Sequence, residues 1–208
     1  MNQNGRFIVY LTSVDLLTLA SLLVSSFGLL SAFHGMLTLA IGFMLLAMLT
    51  DMLDGLMARH MKMESEFGKY LDSFCDVFTY ALLPLFILFQ FGMQDLLSLG
   101  ALFAYLTCGL LRLSRFNIVS TVDSEGVAYH LGLQIIWSHL LVVVAFPLWM
   151  WLGELARFPL SVMLFVMSYY MIRNLRFPKP VRYTLQAVII LAVTIIYFYL
   201  HFIGMRVP

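Results

Sequence analysis

Charged side chains are scarce in this chain of 208 residues. Only 11% of the residues are Asp, Glu, Lys or Arg, whereas 62% are hydrophobic, and the mean hydropathy is +0.94. A soluble domain of this size needs charged side chains over its whole surface, so this composition excludes one. In lipid, the backbone of a spanning segment must satisfy its own hydrogen bonds, which helices do. We therefore expect an all-α, polytopic membrane bundle.

Other absences narrow the range of possible functions and partners further. The formal net charge of +1 argues against a nucleic-acid partner. Cys75 and Cys108 both lie in apolar segments, where two lone thiols indicate no disulfide framework. The N-terminal segment lacks a basic region followed by an apolar core and a cleavage site, so we expect no removable signal peptide.

Long apolar runs fill most of the chain. A membrane span needs about 20 mainly apolar residues, and by that measure the sequence predicts seven spans, with six to eight compatible. They cover residues 13–33, 36–59, 68–91, 95–115, 131–152, 155–173 and 181–203. We find no internal repeat or low-complexity tract, and we expect a single domain over residues 1–208.

Basic residues collect on one side of these predicted spans. If the spans alternate in direction, only Arg157 and Arg206 lie on the opposite side. The positive-inside rule makes the basic side cytoplasmic. We therefore expect a protein of the cytoplasmic membrane whose basic side faces the cytosol.

Four aspartates lie at the cytoplasmic ends of the second and third predicted spans. Asp51 and Asp54 are three residues apart and Asp72 and Asp76 four apart, so each pair shares a helix face. Carboxylates at membrane depth are costly unless they are paired or bound to a cation. Hard divalent ions such as Mg²⁺ or Mn²⁺ favour oxygen ligands and bridge carboxylates to phosphates. The pattern therefore predicts a two-metal site for phosphoryl transfer.

Small and basic residues accompany these acids. Gly55, Ala58 and Gly68 each lie about one helical turn from an aspartate. They leave room either for a ligand to approach the backbone or for close packing between helices. Arg59 would hold a diphosphate bidentately, or it would extend to the lipid headgroups, as a lone Arg at the end of a span often does.

The segment from Asp51 to Asp76 reads D-x2-D-G-x2-A-R-x8-G-x3-D-x3-D. It resembles the signature of the CDP-alcohol phosphotransferases at every defined position, and eight fixed residues make a chance match negligible. The resemblance implies a helical membrane enzyme that transfers a phosphate-linked group from a CDP-activated lipid to an alcohol. It also implies a homodimer whose site lies in a cavity facing the cytosol.

The same resemblance implies roles for the signature residues. Asp76 would deprotonate the acceptor hydroxyl and also touch the second metal ion, and Arg59 would contact phosphate. The metal ligands would further include Asp51, Asp54 and Asp72. The positions that would admit the cytidine and its diphosphate are Gly55, Ala58 and Gly68.

Stretches outside this segment point to the acceptor. SEFGKYLDSFCDVFTYALLP, GLLRLSRFNI and YYMIRNLRFPKP are similar to segments of the membrane-integral phosphatidylserine synthases. This implies CDP-diacylglycerol as the donor and L-serine as the acceptor. Arg112 and Arg115 would bind the serine carboxylate or the donor phosphates, with anchoring at the cytosolic surface as the alternative. Asn117 would bind the amino or hydroxyl group of the acceptor.

Two departures leave the acceptor open. Gln134 stands where those enzymes usually have Pro, and Val14-Asp15 stands where the family usually has Pro-Asn. GLQIIW and TYALLPLFILFQFGM also resemble bacterial phosphatidylcholine synthases, so choline held by an aromatic face such as Trp137 is an alternative. Inositol and glycerol derivatives are others.

A small cation transporter is an alternative from another class, because intramembrane acids often mark ion paths. It would place the charges near the bilayer midplane and often shows inverted repeats. The four aspartates instead lie at one predicted edge of the membrane. This pattern favours an enzyme.

Overall fold

The computed structural model describes residues 11–61, 65–118, 122–124, 127–178 and 183–204, and the side chains of these residues except 58–61, 122–131, 177–178 and 183–184. Helices dominate the described chain. Their bounds are α1 (Ser13–Phe33), α2 (Leu37–Met61), α3 (Glu66–Asp76), α4 (Leu83–Gln90), α5 (Leu96–Ile118), α6 (Trp137–Leu152), α7 (Arg157–Ile172) and α8 (Tyr183–Phe202).

Helix α1 begins with a capping box. The Asp15 N–H donates to Thr12 Oγ1 (3.2 Å), and the Thr12 N–H donates to Asp15 Oδ2 (2.7 Å). These bonds satisfy N–H groups that the start of a helix leaves without partners. The carboxylate of Asp15 therefore acts as a hydrogen-bond acceptor at the start of α1, although the family resemblance would place an amide there.

The stretch from α3 to α4 is one helical segment with a widened turn. Residues Val77–Leu82, called the π-turn below, form a π-helix in which the Leu83 N–H bonds to the Phe78 carbonyl. A regular α-helix would pair the Tyr80 carbonyl with the N–H of residue 84. Residue 84 is Pro, which has no N–H and whose ring clashes with that carbonyl. Pro84 therefore explains the departure from α-helical geometry.

Six segments of the described chain are long and apolar enough to cross a membrane. Five of them correspond to predicted spans. The remaining one, Trp137–Ile172, has 36 residues and covers the two spans predicted at 131–152 and 155–173. The predicted count of seven is therefore not confirmed, because this measure takes Trp137–Ile172 as one segment.

The segment Trp137–Ile172 changes direction near its middle. A 3₁₀ turn, Gly153–Ala156, separates α6 from α7, and Gly153 has a φ of 55°, in the left-handed region that favours glycine. The N–H of Gly132, before α6, donates to the carbonyl of Leu175, after α7 (2.8 Å). The start of α6 and the end of α7 therefore lie at the same end of the bundle.

A small antiparallel sheet joins the connections at this end. Strand β2 lies in the middle, with Asp123 opposite Ala128 on one side and His130 opposite Phe177 on the other. The strands are β1 (Val122–Ser124), β2 (Val127–Leu131) and β3 (Arg176–Pro178). The membrane segments are helical, as predicted. The strands were not predicted, and the span expected from residue 131 begins only at residue 137, because β2 and a short connection precede it.

The helices bury a continuous apolar core, while large apolar side chains cover the outside. Tyr105, Phe91 and Met44 are among the largest fully buried side chains, whereas Phe103 and Trp151 are exposed. An outer surface of this kind suits contact with lipid. The chain is therefore an integral membrane protein in both its composition and its packing.

Candidate active site

Three carboxylates from two helices meet in the structure. Asp51 lies on α2, and Asp72 and Asp76 lie on α3. Each offers one oxygen, and these three oxygens lie within 4.8 Å of one another. Helix α3 supplies two of them because residues four apart share a face. The structure therefore brings together three of the four predicted acids, called the acid cluster below.

Asp54 lies beside the acid cluster. Its side chain is 3% exposed and contacts the hydroxyl of Thr18. Its Oδ2 atom is buried and has no hydrogen-bond partner among the described residues. Asp54 also lies near enough to Asp72 for their charges to repel each other. A buried carboxylate oxygen without a partner is costly, and a bound cation would satisfy it.

This set of donors fits a divalent metal ion. Carboxylate oxygens are the ligands that Mg²⁺ and Mn²⁺ prefer in proteins. Three carboxylates within 4.8 Å of one another repel strongly in a region of low dielectric constant unless a cation balances them. Asp54 adds a fourth donor nearby. The described residues therefore suit the predicted metal site, while the identity and number of the ions stay predictions.

Tyr80, which was not predicted, contacts the acid cluster directly. It lies on the π-turn, and its hydroxyl donates a hydrogen bond to Asp51 Oδ2 (2.7 Å). Its ring packs on the imidazole of His139, with ring centroids 4.7 Å apart. The signal in the sequence is its position four residues after Asp76, since residues four apart on a helix are neighbours.

A cavity of about 160 Å³ opens beside the acid cluster. Its polar lining includes Asp51, Asp76, Tyr80, Arg112 and Gln134. The apolar side chains that line it are Leu113, Phe116, Ile135 and Ile136. Polar groups that converge beside apolar walls are the features that orient a small molecule in a binding site. Trp137, the aromatic residue considered for choline, is not among these lining residues.

Arg112 brings a positive charge to this cavity. It lies on α5, and its Nε atom is buried without a hydrogen-bond partner among the described residues. Its charge also interacts with that of Asp76. A buried donor without an acceptor is unfavourable, and an anionic group of a ligand would supply one. The part of Arg112 in binding a substrate stays a prediction.

Arg115 and Asn117 are not among the described residues that line the cavity. Arg115 is exposed. Asn117 instead ties the end of α5 to α3, because its Oδ1 accepts a hydrogen bond from Ser73 Oγ (2.9 Å) and its carbonyl accepts one from Lys69 Nζ (2.7 Å). These contacts hold α3 beside the helix that carries Arg112. Binding of the acceptor by Arg115 or Asn117 stays a prediction.

The small residues of the signature occupy two helices. Gly55 lies half-buried on α2, and Gly68 lies in the first turn of α3. A Cβ atom at Gly68 would lie 2.9 Å from Asp15 Oδ1, so Gly68 packs closely against α1. Admission of a ligand at Gly55, Ala58 or Gly68 stays a prediction. The signature residues whose side chains lie outside the described part are Ala58 and Arg59.

The sequence matches a known family over nearly its whole length. A sequence model described as CDP-alcohol phosphatidyltransferase matches residues 11–207. That range contains the acid cluster, Asp54 and every residue that lines the cavity.

Named relatives come from all three domains of life. The CDP-diacylglycerol–serine O-phosphatidyltransferase of Bacillus subtilis is 30% identical over 145 residues, which are 67% of this chain and 74% of that protein. The protein of the same name from Saccharomyces cerevisiae is 40% identical over 76 residues, 36% of this chain and 28% of that protein. The archaetidylserine synthase of Methanothermobacter thermautotrophicus is 32% identical over 124 residues, 58% of this chain and 53% of that protein.

Proposed function

Because this chain belongs to the CDP-alcohol phosphatidyltransferase family, we propose that it transfers the phosphatidyl group of CDP-diacylglycerol to the hydroxyl of L-serine. The bond between the phosphatidyl phosphorus and the CMP oxygen breaks, and a bond between that phosphorus and the serine oxygen forms. The products are phosphatidylserine and CMP. The names of the bacterial and yeast relatives support serine as the acceptor.

The acid cluster beside the cavity is the observation that carries this proposal. Two divalent ions, Mg²⁺ or Mn²⁺, held by the acid cluster and Asp54, would neutralise the donor diphosphate and stabilise the departing phosphate when bound. The protein keeps these carboxylates on two rigid helices, so that the donor meets a preformed site. The apolar exterior allows the acyl chains of the donor to stay in the bilayer while its cytidine diphosphate enters the cavity.

Asp76 is proposed to act on the acceptor. It lines the cavity and also belongs to the acid cluster. In the proposed reaction, its carboxylate takes the proton of the serine hydroxyl as the oxygen attacks phosphorus. Arg59 would contact the donor phosphates. The positions proposed to admit the cytidine diphosphate are Gly55, Ala58 and Gly68.

Arg112 supports an acceptor that carries a carboxylate. Its buried Nε lacks a hydrogen-bond partner among the described residues, and a guanidinium pairs with a carboxylate through two parallel hydrogen bonds. Choline would meet this positive charge unfavourably, and inositol would leave it without an anionic partner. Arg115, exposed near the end of the same helix, would meet the incoming acceptor or donor, and Asn117 would contact the acceptor.

The site is further proposed to face the cytosol, in a homodimer in the cytoplasmic membrane. Lys69 and Asn117 bond to each other near the acid cluster, and Arg112 and Arg115 lie in the same part of α5. Basic residues concentrate on the cytoplasmic side of membrane proteins. Serine and CMP are both water-soluble, which agrees with a site open to the cytosol. The homodimer rests on the family resemblance.

A panel of acceptors tests this function. The purified protein is supplied with Mn²⁺, CDP-diacylglycerol and, separately, serine, choline, inositol or glycerol 3-phosphate, and CMP release is measured. We expect release with serine. Release with choline and none with serine would overturn the acceptor. If no acceptor supports release, and Mn²⁺ enters liposomes without any CDP-lipid, the cation transporter replaces the enzyme.

A further inference from the structure

The hydroxyl of Tyr80 connects the two helical segments that carry the acids. Tyr80 follows Asp76 on the same segment, and its hydroxyl bonds to Asp51 Oδ2 on α2 at 2.7 Å. A carboxylate on a single aspartate side chain can rotate about its terminal torsion, which is a broad and soft one. The hydrogen bond from Tyr80 fixes one oxygen of Asp51 and thereby sets the direction of the other.

Tyr80 is itself held by two further helices. Its carbonyl accepts hydrogen bonds from the Tyr105 hydroxyl on α5 (2.8 Å) and from Ser138 Oγ on α6 (2.9 Å). These hydroxyls stand in for the N–H that Pro84 does not have. The Tyr80 ring is 3% exposed and packs on the ring of His139. Contacts other than the hydrogen bond to Asp51 therefore hold both the backbone and the ring of Tyr80 in place.

We propose that Tyr80 is a positioning residue, which directs the carboxylate of Asp51 toward Asp72 and Asp76 so that the three can hold a divalent ion together. The inference rests on the proposed metal site. A group that hydrogen-bonds to a metal ligand fixes that ligand's orientation, and its loss typically weakens metal binding by about 10–100-fold. The π-turn, with its carbonyl held by Tyr105 and Ser138, provides the rigid support that such a residue needs.

The variant Tyr80→Phe isolates this role. It removes only the hydroxyl, while the ring stays against His139 and the carbonyl keeps its two partners. Tyr197→Phe is the matched control, because Tyr197 is also buried and its hydroxyl donates to a backbone carbonyl, that of Val143, at 2.9 Å. Mn²⁺ alone is titrated into each purified protein, and free Mn²⁺ is counted by electron paramagnetic resonance.

We expect Tyr80→Phe to bind Mn²⁺ about 10–100-fold more weakly than the unmodified protein, and Tyr197→Phe to bind it equally well. Equal affinity in Tyr80→Phe would overturn the inference and leave the proposed metal site intact. Equal weakening in both variants would also overturn it, since a general loss of packing would then explain the effect. If the unmodified protein and Asp72→Asn bind Mn²⁺ equally, the proposed metal site itself is wrong.

Two further variants keep the test decisive. In an Asp51→Ala background, Tyr80→Phe should cause no additional loss of Mn²⁺ affinity, because Asp51→Ala already removes the carboxylate that Tyr80 orients. Full additivity would contradict the inference. If Tyr80→Phe cannot be recovered as a folded protein, Ser138→Ala is used instead, because it removes one of the two hydrogen bonds that hold the Tyr80 carbonyl. Mn²⁺ binding weaker than in Tyr197→Phe is expected, and unchanged binding would overturn the proposal.

Discussion

Gly68 lies against the carboxylate of Asp15, so that a Cβ atom added to Gly68 would stand 2.9 Å from Asp15 Oδ1. The other oxygen of that carboxylate accepts the Thr12 N–H and closes the capping box of α1. The first turn of α3 is therefore pressed against the first turn of α1. Because α3 carries Asp72 and Asp76, this contact also helps to set the position of the acid cluster relative to α1.

Gly68→Ala should destabilise the protein and lower its activity. Overpacking of a tight contact typically costs about 1–3 kcal/mol, and the displacement of α3 should reduce CMP release as well. Thermal unfolding and turnover are the measurements. Gly100→Ala is the control, because that glycine lies within α5 with its nearest neighbour, Phe165, at 3.8 Å. The prediction is wrong if the two variants behave alike.

Asp72→Asn should weaken Mn²⁺ binding and CMP release by more than about 100-fold, the upper range for losing a group that only supports a metal ligand. One of three converging carboxylates is then neutral. Titration of Mn²⁺ against turnover measures the change. Asp95→Asn serves as the control, since Asp95 caps α5 through Ser98, away from the acid cluster, and Asn caps helices about as well as Asp. A similar loss in the control would point to a general defect.

Asp76→Asn should lower the rate of CMP release at saturating Mn²⁺ by a factor of about 10²–10⁴, which is the usual contribution of a positioned base. An amide oxygen cannot take the hydroxyl proton. Single-turnover CMP release with donor and serine present separates this loss from weaker binding. Near-full release by this variant would show that another group, or water, accepts the proton.

Arg112→Gln should raise the KM for serine roughly 10–100-fold, because losing a hydrogen bond to a charged group costs about 1.5–3 kcal/mol. The KM for CDP-diacylglycerol should change much less. Initial rates at varied serine and varied donor concentrations give both values. Arg115→Gln, which changes an exposed arginine near the end of the same helix, should raise the serine KM less than Arg112→Gln does. An increase confined to the donor KM would instead assign Arg112 to the phosphates.

Asp95 should make the stability of the protein depend on acidity. Hydrogen bonds from Ser98 hold the pKa of this carboxyl below its usual value of 3.8. A group whose pKa is lower in the folded state stabilises the protein above its unfolded pKa, and this contribution is lost as the pH falls through the folded pKa. The melting temperature of the unmodified protein should therefore fall relative to that of Asp95→Asn as the pH falls below 3.8, because only the unmodified protein has a carboxyl group at this position to titrate. A constant difference would contradict this.

The helices and the pairs of acids could be predicted from the sequence, because both depend on local spacing. The apolar runs predict the membrane segments, and the intervals between Asp51 and Asp54 and between Asp72 and Asp76 predict a shared helix face for each pair. Spacing places Tyr80 about one turn after Asp76, but it does not predict the hydrogen bond to Asp51, which is 29 residues away and reached through a π-turn. Asn117 shows the same limit, because its bond to Ser73 depends on how α5 packs on α3.

The small sheet was beyond prediction, whereas the boundary between α6 and α7 falls where the spans at 131–152 and 155–173 were predicted to meet. The 3₁₀ turn at that boundary, Gly153–Ala156, depends on one left-handed residue, Gly153. Strand β2 pairs with β3, which lies more than 40 residues further along the chain. Pairings over such separations leave no local periodicity to read.

Pro84 also bears on the order in which the chain can reach its final state. The Tyr80 carbonyl has no α-helical donor, and its hydroxyl partners belong to residues 105 and 138. Chains are made from the N-terminus, so both partners are synthesised after the π-turn. A carbonyl without a partner is unfavourable in lipid. The Tyr80 carbonyl, which belongs to the first half of the chain together with the four signature aspartates, therefore gains both of its hydroxyl partners only after α6 has been inserted and packed.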